Sequence, residues 1–520
     1  MSLPTFLTRI HNAAGPLLGG IGESELGERL AATTVLLEIS DAPAADPGHR
    51  AGYLLAANLG ARLYPRLALD APADLTEEAA ALASAINPRC EFGPPKGDVL
   101  TLSWRGGEPG PRRVTLAAEG WNLFCDTGEP AAAGAVPPAA MAAATIGVGE
   151  LFRALFADLL EHGRTAPSPF ALNLVTLSEP TELPPFPQDV ELGEVHLAGC
   201  GAIGQAAVLT LSAVPVTGTL VAVDHEPLDE GNLQRYLLAR AADQGTAKVE
   251  LVERALAGHP LEVVAVPARW GSDDRSAPGR ATVLSALDTK QGRIELQGGL
   301  PREIFNAWTQ PLDTGVSRHQ AFGTEPCLAC LGWPKGPRPS RVELIAAALG
   351  QHEQRVSRYL LSGLPVGTPL SAEQLKASPR RPLPEDAPRW AEVALLEDLI
   401  TARGLPRTQF EPLGGLGVDG LYRDAVCAGM LIAEGTEREA EVSVPLAHQS
   451  ALAGILLASA LVVDRVPGLR ERRPGETVAK YDVLRGGEQH WARPRKREAR
   501  CICQDLDYLD AYAERWASGA

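Results

Sequence analysis

Positive charge is scarce in this chain. Its 520 residues include 48 Lys and Arg against 64 Asp and Glu, which gives a formal net charge of −16. Broad, sequence-independent binding of nucleic acid needs a basic surface, so the composition disfavours that class of function and we expect no nucleic-acid partner. The basic run at 493–500 is a local exception, and such runs are typical of solvated stretches.

A secretory signal and a long hydrophobic run are also missing. The first residues, MSLPTFLTRIHNAAGPLL, lack a basic start, an apolar core and a small-residue cleavage site. The most apolar run, 451–463, is too short to span a bilayer and predicts a buried helix. We therefore expect a cytoplasmic protein with no membrane partner, whose eight cysteines are thiols, metal ligands or nucleophiles rather than disulfides.

What the chain does contain is enough apolar sequence for several folded domains. Hydrophobic residues make up 45% and charged residues 22%, as in soluble globular proteins. Residues 1–180 alternate strand and helix patterns but have no glycine-rich loop between them, and a proline-rich linker follows at 179–189. A second strand and helix series runs to about residue 335, and helical patterns predominate after it.

The stretch VHLAGCGAIGQAAVLTL leads an apolar strand through a glycine loop into an apolar helix. Gly199, Gly201 and Gly204 open the backbone N–H groups of the loop to a phosphate. Asp224 follows about twenty residues later, at the end of the next strand, where a carboxylate accepts the ribose hydroxyls of a nucleotide. By themselves these residues favour an NAD enzyme, although an acid at this position accepts the ribose hydroxyls of NAD and of ATP alike.

The residues that follow favour ATP over NAD. Arg235 and Lys248 can neutralise the charge of a triphosphate, and Asn232 can orient a phosphate oxygen. Asp288 ends a second buried strand, and a carboxylate there can hold Mg²⁺. A hydride-transfer site needs no such set of cations and carboxylates around the phosphates.

In these motifs, 195–333 resembles the ThiF/MoeB and ubiquitin-activating enzyme superfamily. The resemblance rests on the acidic pair Asp224 and Glu226, the run GNLQRY, which contains Gln234, then Lys248 and the strand end SALDTK. The chain departs from the family pattern at Ser285, Glu226 and Thr289 without losing the groups that ATP requires. The resemblance assigns phosphate contacts to the glycine loop, nucleotide contacts to the acidic pair and GNLQRY, and the metal to Asp288.

The resemblance also implies an α/β fold with a Rossmann-like adenylation domain on a mostly parallel sheet. Residues 190–335 would be the active ThiF-type domain, and 1–180 a degenerate, inactive α/β half. Residues 336–445 would be a helical insertion that carries a catalytic cysteine. Residues 446–520 would return to the adenylation domain and end in a zinc-binding tail. Family members also place an arginine from a partner half at the ATP site, and Arg9 is the candidate by position.

Two cysteine pairs are spaced as metal ligands. Cys327 and Cys330 form a C-x-x-C pair, and Cys501 and Cys503 form a C-x-C pair near the end of the chain. Four thiolates can complete a tetrahedral structural zinc site, and four unrelated thiols are the alternative. The resemblance supports zinc, although the second pair in the family is usually C-x-x-C.

Cys427 lies by itself behind a glycine-rich stretch and close to Arg423. A thiolate with a cation nearby is a nucleophile for thioester chemistry, and a small buried side chain is the alternative interpretation. Ubiquitin-activating enzymes carry such a cysteine in a segment inserted after the nucleotide core. The resemblance therefore makes Cys427 the first choice, with Cys501 or Cys503 next.

The layout is most similar to bacterial activating enzymes of ubiquitin-like conjugation operons, some of them linked to antiviral defence. It implies that the C-terminus of a ubiquitin-like protein is adenylated with ATP and Mg²⁺, captured as a thioester and passed to a conjugating enzyme. Arg235, Lys248, Asp288 and Cys427 would be catalytic, and a homodimer stays open. The alternatives are adenylation of a sulfur-carrier protein or peptide without a thioester, and a nucleotide-binding scaffold without catalysis.

Overall fold

The computed structural model describes 4–15, 17–272, 280–310, 313–332, 340–376, 385–403, 407, 413–422, 445–474, 478–482 and 490–517. The chain divides into two compact units. The first unit comprises Met1–Trp333 with Val444–Ala520, and the second is Pro334–Ser443.

The first unit contains two α/β sheets. The strands of the N-terminal sheet are β1 (Thr33–Glu38), β2 (Arg66–Asp70), β3 (Glu91–Phe92), β4 (Asp98–Ser103), β5 (Arg113–Glu119), β6 (Asn122–Cys125) and β7 (Phe170–Asn173). Their spatial order is β3-β2-β1-β4-β5-β6-β7. The first five are parallel, and β6 and β7 add antiparallel pairs at one edge.

The second sheet repeats this order with one further strand. Its strands are β8 (Val190–Ala198), β9 (Val216–Val223), β10 (Leu261–Val266), β11 (Thr282–Ser285), β12 (Glu303–Thr309), β13 (Thr314–His319), β14 (Val478–Tyr481) and β15 (His490–Arg493). They lie in the order β10-β9-β8-β11-β12-β13-β14-β15, parallel as far as β12 and antiparallel after it. The predicted α/β class with a mostly parallel, Rossmann-like sheet beside an N-terminal α/β half is confirmed.

Helices cover both sheets. Those of the first unit, up to its break, are α1 (Leu7–Ala14), α2 (Glu23–Ala31), α3 (Asp41–Ala44), α4 (Pro47–Ala61), α5 (Ala73–Ile86), α6 (Pro137–Leu155), α7 (Ala202–Leu211), α8 (Lys248–Ala255), α9 (Lys290–Gly298) and α10 (Leu328–Gly332). The second unit has α11 (Arg341–Leu349), α12 (Glu353–Ser362), α13 (Ala372–Lys376), α14 (Ala387–Glu392), α15 (Leu395–Arg403) and α16 (Val418–Leu421). The first unit resumes with α17 (Ala447–Arg465), α18 (Pro467–Arg470) and α19 (Leu506–Ala517).

Helix α17 is the central packing element of the first unit. It packs on α7 and α6 and on strands β12 and β13, so it joins the two halves. Gly454 makes the close approach to α7 possible, because a Cβ there would lie 2.5 Å from the carbonyl oxygen of Ile203. The helix extends beyond the apolar run seen in the sequence, and among the described helices it alone has the length and hydropathy of a membrane span. Nearly all of its residues are buried in the unit, in agreement with the predicted core helix.

The N-terminal half replaces the glycine loop with two helices. After β1 the chain enters α3 and then α4, whose first turn is capped by the Asp46 side chain, which accepts a hydrogen bond from the His49 backbone N–H (3.1 Å). The His49 amide at the start of α4 is therefore used within the half itself. The inactivity of this half stays a prediction.

The second unit is helical wherever the structure describes it. Its core is a separate cluster of apolar side chains from α11, α12, α15 and α16. Arg355, which is buried, donates to Asp398 (2.5 Å), and the hydroxyl of Tyr359 donates to the carbonyl of Thr368 (2.5 Å). Cys427 and Arg423 lie outside the described residues, so the thioester role of Cys427 stays a prediction.

Candidate functional site

The glycine loop lies between β8 and α7, and its geometry requires glycine at two positions. Gly199 has φ +94°, and its N–H donates to the carbonyl of Val223 (3.0 Å). A Cβ on Gly204 would lie 2.2 Å from the carbonyl oxygen of Gly199. Gly201 caps α7 without a side-chain hydrogen bond, so the first amides of this helix are open to an anion at the sheet edge.

Asp224 ties the glycine loop to the end of β9. One carboxylate oxygen accepts from the backbone N–H of Cys200 (2.8 Å), and the other accepts from that of Glu226 (2.9 Å). The carboxylate therefore lies beside the glycine turn, where the sequence pattern predicts it. Its contact with a ribose stays a prediction.

Two cations converge on Tyr236, next to this loop. The guanidinium carbon of Arg235 lies 5.3 Å from the ring centroid, and Nζ of Lys248 lies 5.2 Å from it. The hydroxyl of Tyr236 would be 3.4 Å from a Cβ on Gly201, so the ring stands against the start of α7. The tertiary structure thus brings both predicted basic groups to the mouth of the glycine loop.

Lys248 is buried and pairs with Glu226 at 2.5 Å. Burial disfavours its charged form, but Tyr236, Glu226 and Asp224 together raise the pKa of Lys248 above its ordinary value. The hydrogen bond from Lys248 lowers the pKa of Glu226. This pair therefore stays charged at neutral pH. Burial lowers the pKa of Arg235, while Asp288 favours its charged form.

Asp288 follows β11 and is exposed. No hydrogen bond to its carboxylate is present within the described part of the chain, and its charge acts on Arg235. The next residue, Thr289, begins α9 by accepting from the backbone N–H of Gly292 (3.0 Å). A carboxylate that is open to solvent at a strand end, beside phosphate-binding groups, fits one protein ligand of Mg²⁺.

Asn232 and Gln234 lie in the turn that carries Arg235. The side-chain oxygen of Asn232 accepts from the backbone N–H of Asp229 (3.0 Å), and the two residues cap a 3-10 turn. Gln234 is buried. Their nucleotide contacts stay predictions, and both residues belong to the segment that positions Arg235.

The N-terminal half holds that segment in place, which sequence reasoning missed. Arg62, at the end of α4, is buried and donates to the carbonyls of Leu233, Leu237 (3.2 Å) and Ala239 (3.1 Å). Asn58 donates to the same Leu237 carbonyl (3.0 Å). The only signal in the sequence is an arginine directly after an apolar helix.

Arg9 also reaches this segment. It lies on α1, and its Nε would be 2.5 Å from a Cβ on Gly231, so glycine is what allows the approach. Its charge acts on Arg235, which places the two guanidinium groups near one another. The N-terminal half therefore contributes a third cation to this side of the glycine loop.

The four predicted metal-ligating cysteines form one buried cluster. Sγ of Cys327 lies 3.4 Å from that of Cys501, and Sγ of Cys330 lies 3.5 Å from that of Cys503. All four sulfur atoms are within 4.8 Å of one another. Zinc–sulfur bonds of about 2.3 Å in a tetrahedron put sulfur atoms about 3.8 Å apart, so the donor set fits zinc.

The surroundings of the cluster favour a thiolate at Cys330, while burial and the neighbouring sulfur atoms raise the pKa values of the other three thiols. Sγ–H groups of Cys327 and Cys501 stabilise the thiolate of Cys330 and lower its pKa, and the backbone N–H of Glu498 donates to the same sulfur (3.5 Å). The cluster also explains the tail: it fixes Cys501 and Cys503 to α10, more than 170 residues earlier in the chain. With all four thiols used here, Cys501 and Cys503 are poor choices for a thioester nucleophile.

Known proteins resemble this chain at three levels. Residues 185–350 match the model of the ThiF family. The uncharacterized protein y4jF of Sinorhizobium fredii (strain NBRC 101917 / NGR234) is 32% identical over 537 residues, which cover 100% of this chain and 98% of that protein.

Solved structures give shorter matches. A crystal structure of E. coli MccB is 18% identical, with 41% of this chain and 55% of that one covered and a TM-score of 0.26. E. coli MccB with ATP is 16% identical, with 41% and 58% covered and a TM-score of 0.25. PaaA is 18% identical, with 24% and 40% covered and a TM-score of 0.21. The chain thus spans about half the length of these solved relatives.

Proposed function

The chain belongs to the ThiF family, and from that premise we propose that it transfers the adenylyl group of ATP to the C-terminal carboxylate of a protein or peptide. The observation that carries the proposal is the meeting of Arg235 and Lys248 at the glycine loop, opposite the open carboxylate of Asp288. An NAD-dependent hydride transfer has no use for this arrangement of charges.

In the proposed reaction, a carboxylate oxygen of the substrate attacks the α-phosphorus of ATP. A new P–O bond forms, the bond between the α-phosphorus and the bridging oxygen breaks, and pyrophosphate leaves with its electron pair. The amides at the start of α7 hold the phosphates, and Arg235 and Lys248 stabilise the charge that moves onto the leaving group. Magnesium, when bound, neutralises phosphate charge, and Asp288 is the residue that would hold it.

The N-terminal half acts in this reaction through position. Arg62 fixes the carbonyls on both sides of Arg235, so the guanidinium is oriented before the substrate binds. Arg9 adds positive charge from α1. A half without its own glycine loop can therefore still complete the site of the other half.

The finer proposal is that the substrate is a ubiquitin-like protein and that Cys427 takes over the acyl group. Its thiolate would attack the acyl carbon of the adenylate, form a thioester and release AMP, and a conjugating enzyme would accept the product. The family resemblance supports this step, together with the cytoplasmic location that the sequence suggests. The four-cysteine cluster supports it too, because it gives Cys501 and Cys503, the next candidates for the nucleophile, a different role.

Pyrophosphate exchange tests the first step. Purified full-length protein is incubated with Mg·ATP, labelled pyrophosphate and a panel of ubiquitin-like proteins, sulfur-carrier proteins and peptides with free C-termini. We expect label to enter ATP with one class of substrate, and we expect Asp288→Ala and Lys248→Met each to lower the rate by roughly 10²-fold or more. Asp98→Ala, at an exposed carboxylate of the N-terminal half, is the matched control and should exchange like the native chain.

The same assay separates the alternatives. Cys427→Ala should keep pyrophosphate exchange and lose the thioester band on a non-reducing gel. Unchanged turnover of the final product in that variant would favour adenylation without a thioester. Binding of ATP with no exchange for any substrate would make the chain a nucleotide-binding scaffold, and full exchange by Asp288→Ala would refute the assigned site.

A further inference from the structure

A cavity of about 180 Å³ lies beside the segment that follows β11. We call it the basic pocket, and its polar lining consists of Lys290, Arg293, Lys480, Arg495, Asn306 and Gln310, with Trp308 among its apolar residues. Its lining residues include no carboxylate, although the chain as a whole carries a net charge of −16. Such a concentration of one sign is unusual on an acidic protein and points to an anionic ligand.

The floor of the basic pocket is one face of the sheet. Asn306 and Trp308 are two residues apart on β12 and therefore share a face, while Phe305 and Ala307 point to the opposite side and join the core that contains α17. The Trp308 ring lies flat over Gly315. A Cβ on Gly315 would be only 2.2 Å from the ring atom Cζ2. The residue opposite on β13 thus has to be glycine for the pocket to exist.

A second set of contacts locks this floor. The indole N–H of Trp308 donates to one oxygen of Asp313 (3.2 Å), and Nζ of Lys480 donates to the other (2.9 Å). Nζ of Lys480 also lies 5.8 Å from the indole ring. Lys480 is therefore neutralised by Asp313. Arg495 is exposed, and its guanidinium has no carboxylate partner in the stretches that the structure describes.

Asn306, which lines the basic pocket, has an acceptor without a donor in the described part of the chain. It is 1% exposed, its Nδ2 donates to Oγ of Ser317 (3.1 Å), and its Oδ1 has no partner among the described residues. The hydrogen bonds of the neighbouring residues fix this orientation of the amide. Nδ1–H of His319 donates to the carbonyl of Pro326 (2.8 Å), so its Nε2 accepts from the hydroxyl of Ser317 (3.0 Å). The Ser317 oxygen is then the acceptor for the N–H of Asn306. A buried acceptor without a donor costs free energy, which a ligand N–H would recover.

The basic pocket adjoins the site of the proposed reaction. Lys290 and Arg293 stand on the first turns of α9, two and five residues after Asp288, and Arg293 donates to the carbonyl of Leu287 (2.6 Å). Resting on the proposed adenylation, the geometry points to the substrate: the pocket binds the segment before the reacting C-terminus, and this segment is acidic. Its carboxylate meets Arg495 and Lys290, a backbone N–H donates to Asn306, and its aliphatic carbons lie on Trp308.

The test uses full-length protein and alanine-based octapeptides with a fluorescein at the N-terminus and a free C-terminal carboxylate. Three peptides differ only in carrying two Glu, two Gln or two Lys among the four positions before the last residue. We expect fluorescence anisotropy to show the Glu peptide binding roughly tenfold more tightly than the Gln peptide, with the advantage reduced by added salt. Arg495→Gln should remove most of that advantage, and Arg495→Glu should turn it into a preference for the Lys peptide.

Lys496→Gln is the matched control, since this exposed neighbour of Arg495 does not line the pocket. It should bind like the native chain. Equal affinity for the three peptides, or the same loss in Lys496→Gln as in Arg495→Gln, would overturn the inference. So would displacement of the Glu peptide by inorganic pyrophosphate at equal concentration, because the pocket would then be a general anion site.

Pyrophosphate exchange with the same peptides keeps this inference apart from the proposed function. Selective binding of the Glu peptide without any exchange supports the pocket and contradicts adenylation of such a tail. Exchange that is equally fast with the Glu and Gln peptides supports adenylation and contradicts an acidic tail.

Discussion

Replacing Cys501 with serine should release the C-terminal tail from the sheet that contains the glycine loop. A hydroxyl is a poor zinc ligand, so the variant keeps the size of the side chain but loses one of four bonds to the metal. Cys501 pairs with Cys327 across 174 residues of chain. A cross-link over a loop of that length raises the free energy of the open state by about 5 kcal/mol, because it removes chain entropy. This value is an upper bound, since residual structure in the open state makes the lost entropy smaller.

Without the cross-link, the tail is held by contacts of α19 that are individually weak. The hydroxyl of Tyr512 donates to the carbonyl of Arg302 (3.0 Å), and the indole N–H of Trp516 donates to that of Leu300 (3.1 Å). No residue of α19 is fully buried. A change of about 1.4 kcal/mol shifts an equilibrium tenfold. Even a third of the upper bound of about 5 kcal/mol should therefore raise the open population of α19 roughly tenfold or more.

Metal analysis and amide hydrogen exchange measure the two parts of this prediction. In reducing buffer, we expect one zinc per native chain and little or none in Cys501→Ser. We also expect faster exchange in α19 and unchanged exchange in β1 of the N-terminal sheet. Cys90→Ser, at a partly exposed thiol outside the cluster, is the control and should keep both zinc and protection. Freshly purified native chain without zinc, or unchanged exchange in α19 after the metal is lost, would refute the reasoning.

Three further predictions concern the nucleotide site and the core. Gly204→Ala should abolish ATP binding measured by calorimetry, because its Cβ would lie 2.2 Å from the carbonyl oxygen of Gly199, and native-like affinity would contradict this loop geometry. Arg62→Met removes the donor from the carbonyls of Leu233 and Ala239, while the Leu237 carbonyl keeps its hydrogen bond from Asn58. We therefore expect the free energy of unfolding to fall by about 3 kcal/mol and the KM for ATP to rise. A native KM would show that Arg235 needs no support. Burial lowers the pKa of His448 from 6.5 to about 4, so its neutral form is favoured in the fold and stability is lost as pH falls from 6.5 towards 4. His448→Leu should flatten the decline in unfolding free energy over that range by up to about 1.4 kcal/mol per pH unit, and identical slopes in urea titrations would contradict it.

Local patterns were sufficient where the chemistry depends on neighbours in the chain. The glycine loop, Asp224 and Asp288 were each predicted from a short local pattern of a strand and the residues that end it. Parallel strands bring their carboxyl ends to one edge of the sheet, so these separate segments were expected to meet there. The two cysteine pairs were readable for the same reason: a metal site takes ligands two or three residues apart from each contributing segment. The α/β class followed from the alternation of strand and helix patterns.

Other features depend on residues that are far apart in the chain. Arg62 gave no sign of holding the segment around Arg235, since its partners are backbone carbonyls, which have no sequence signature. The basic pocket combines strands β12 and β14 with Lys290 and Arg495, and only the pairing order of the sheet places them together.

The sequence by itself therefore determined the glycine turn, the strand-end carboxylates and the spacing of the cysteine pairs, because each is encoded within one short segment. Tertiary structure decided that Arg235 and Lys248 meet at Tyr236 and how the N-terminal half supports them. It also decided between a shared cluster and four unrelated thiols, because the four cysteines lie together and are buried. The physical reason is that burial and long-range contact choose among the many partners that a charged or polar side chain could take, and a linear pattern does not record that choice.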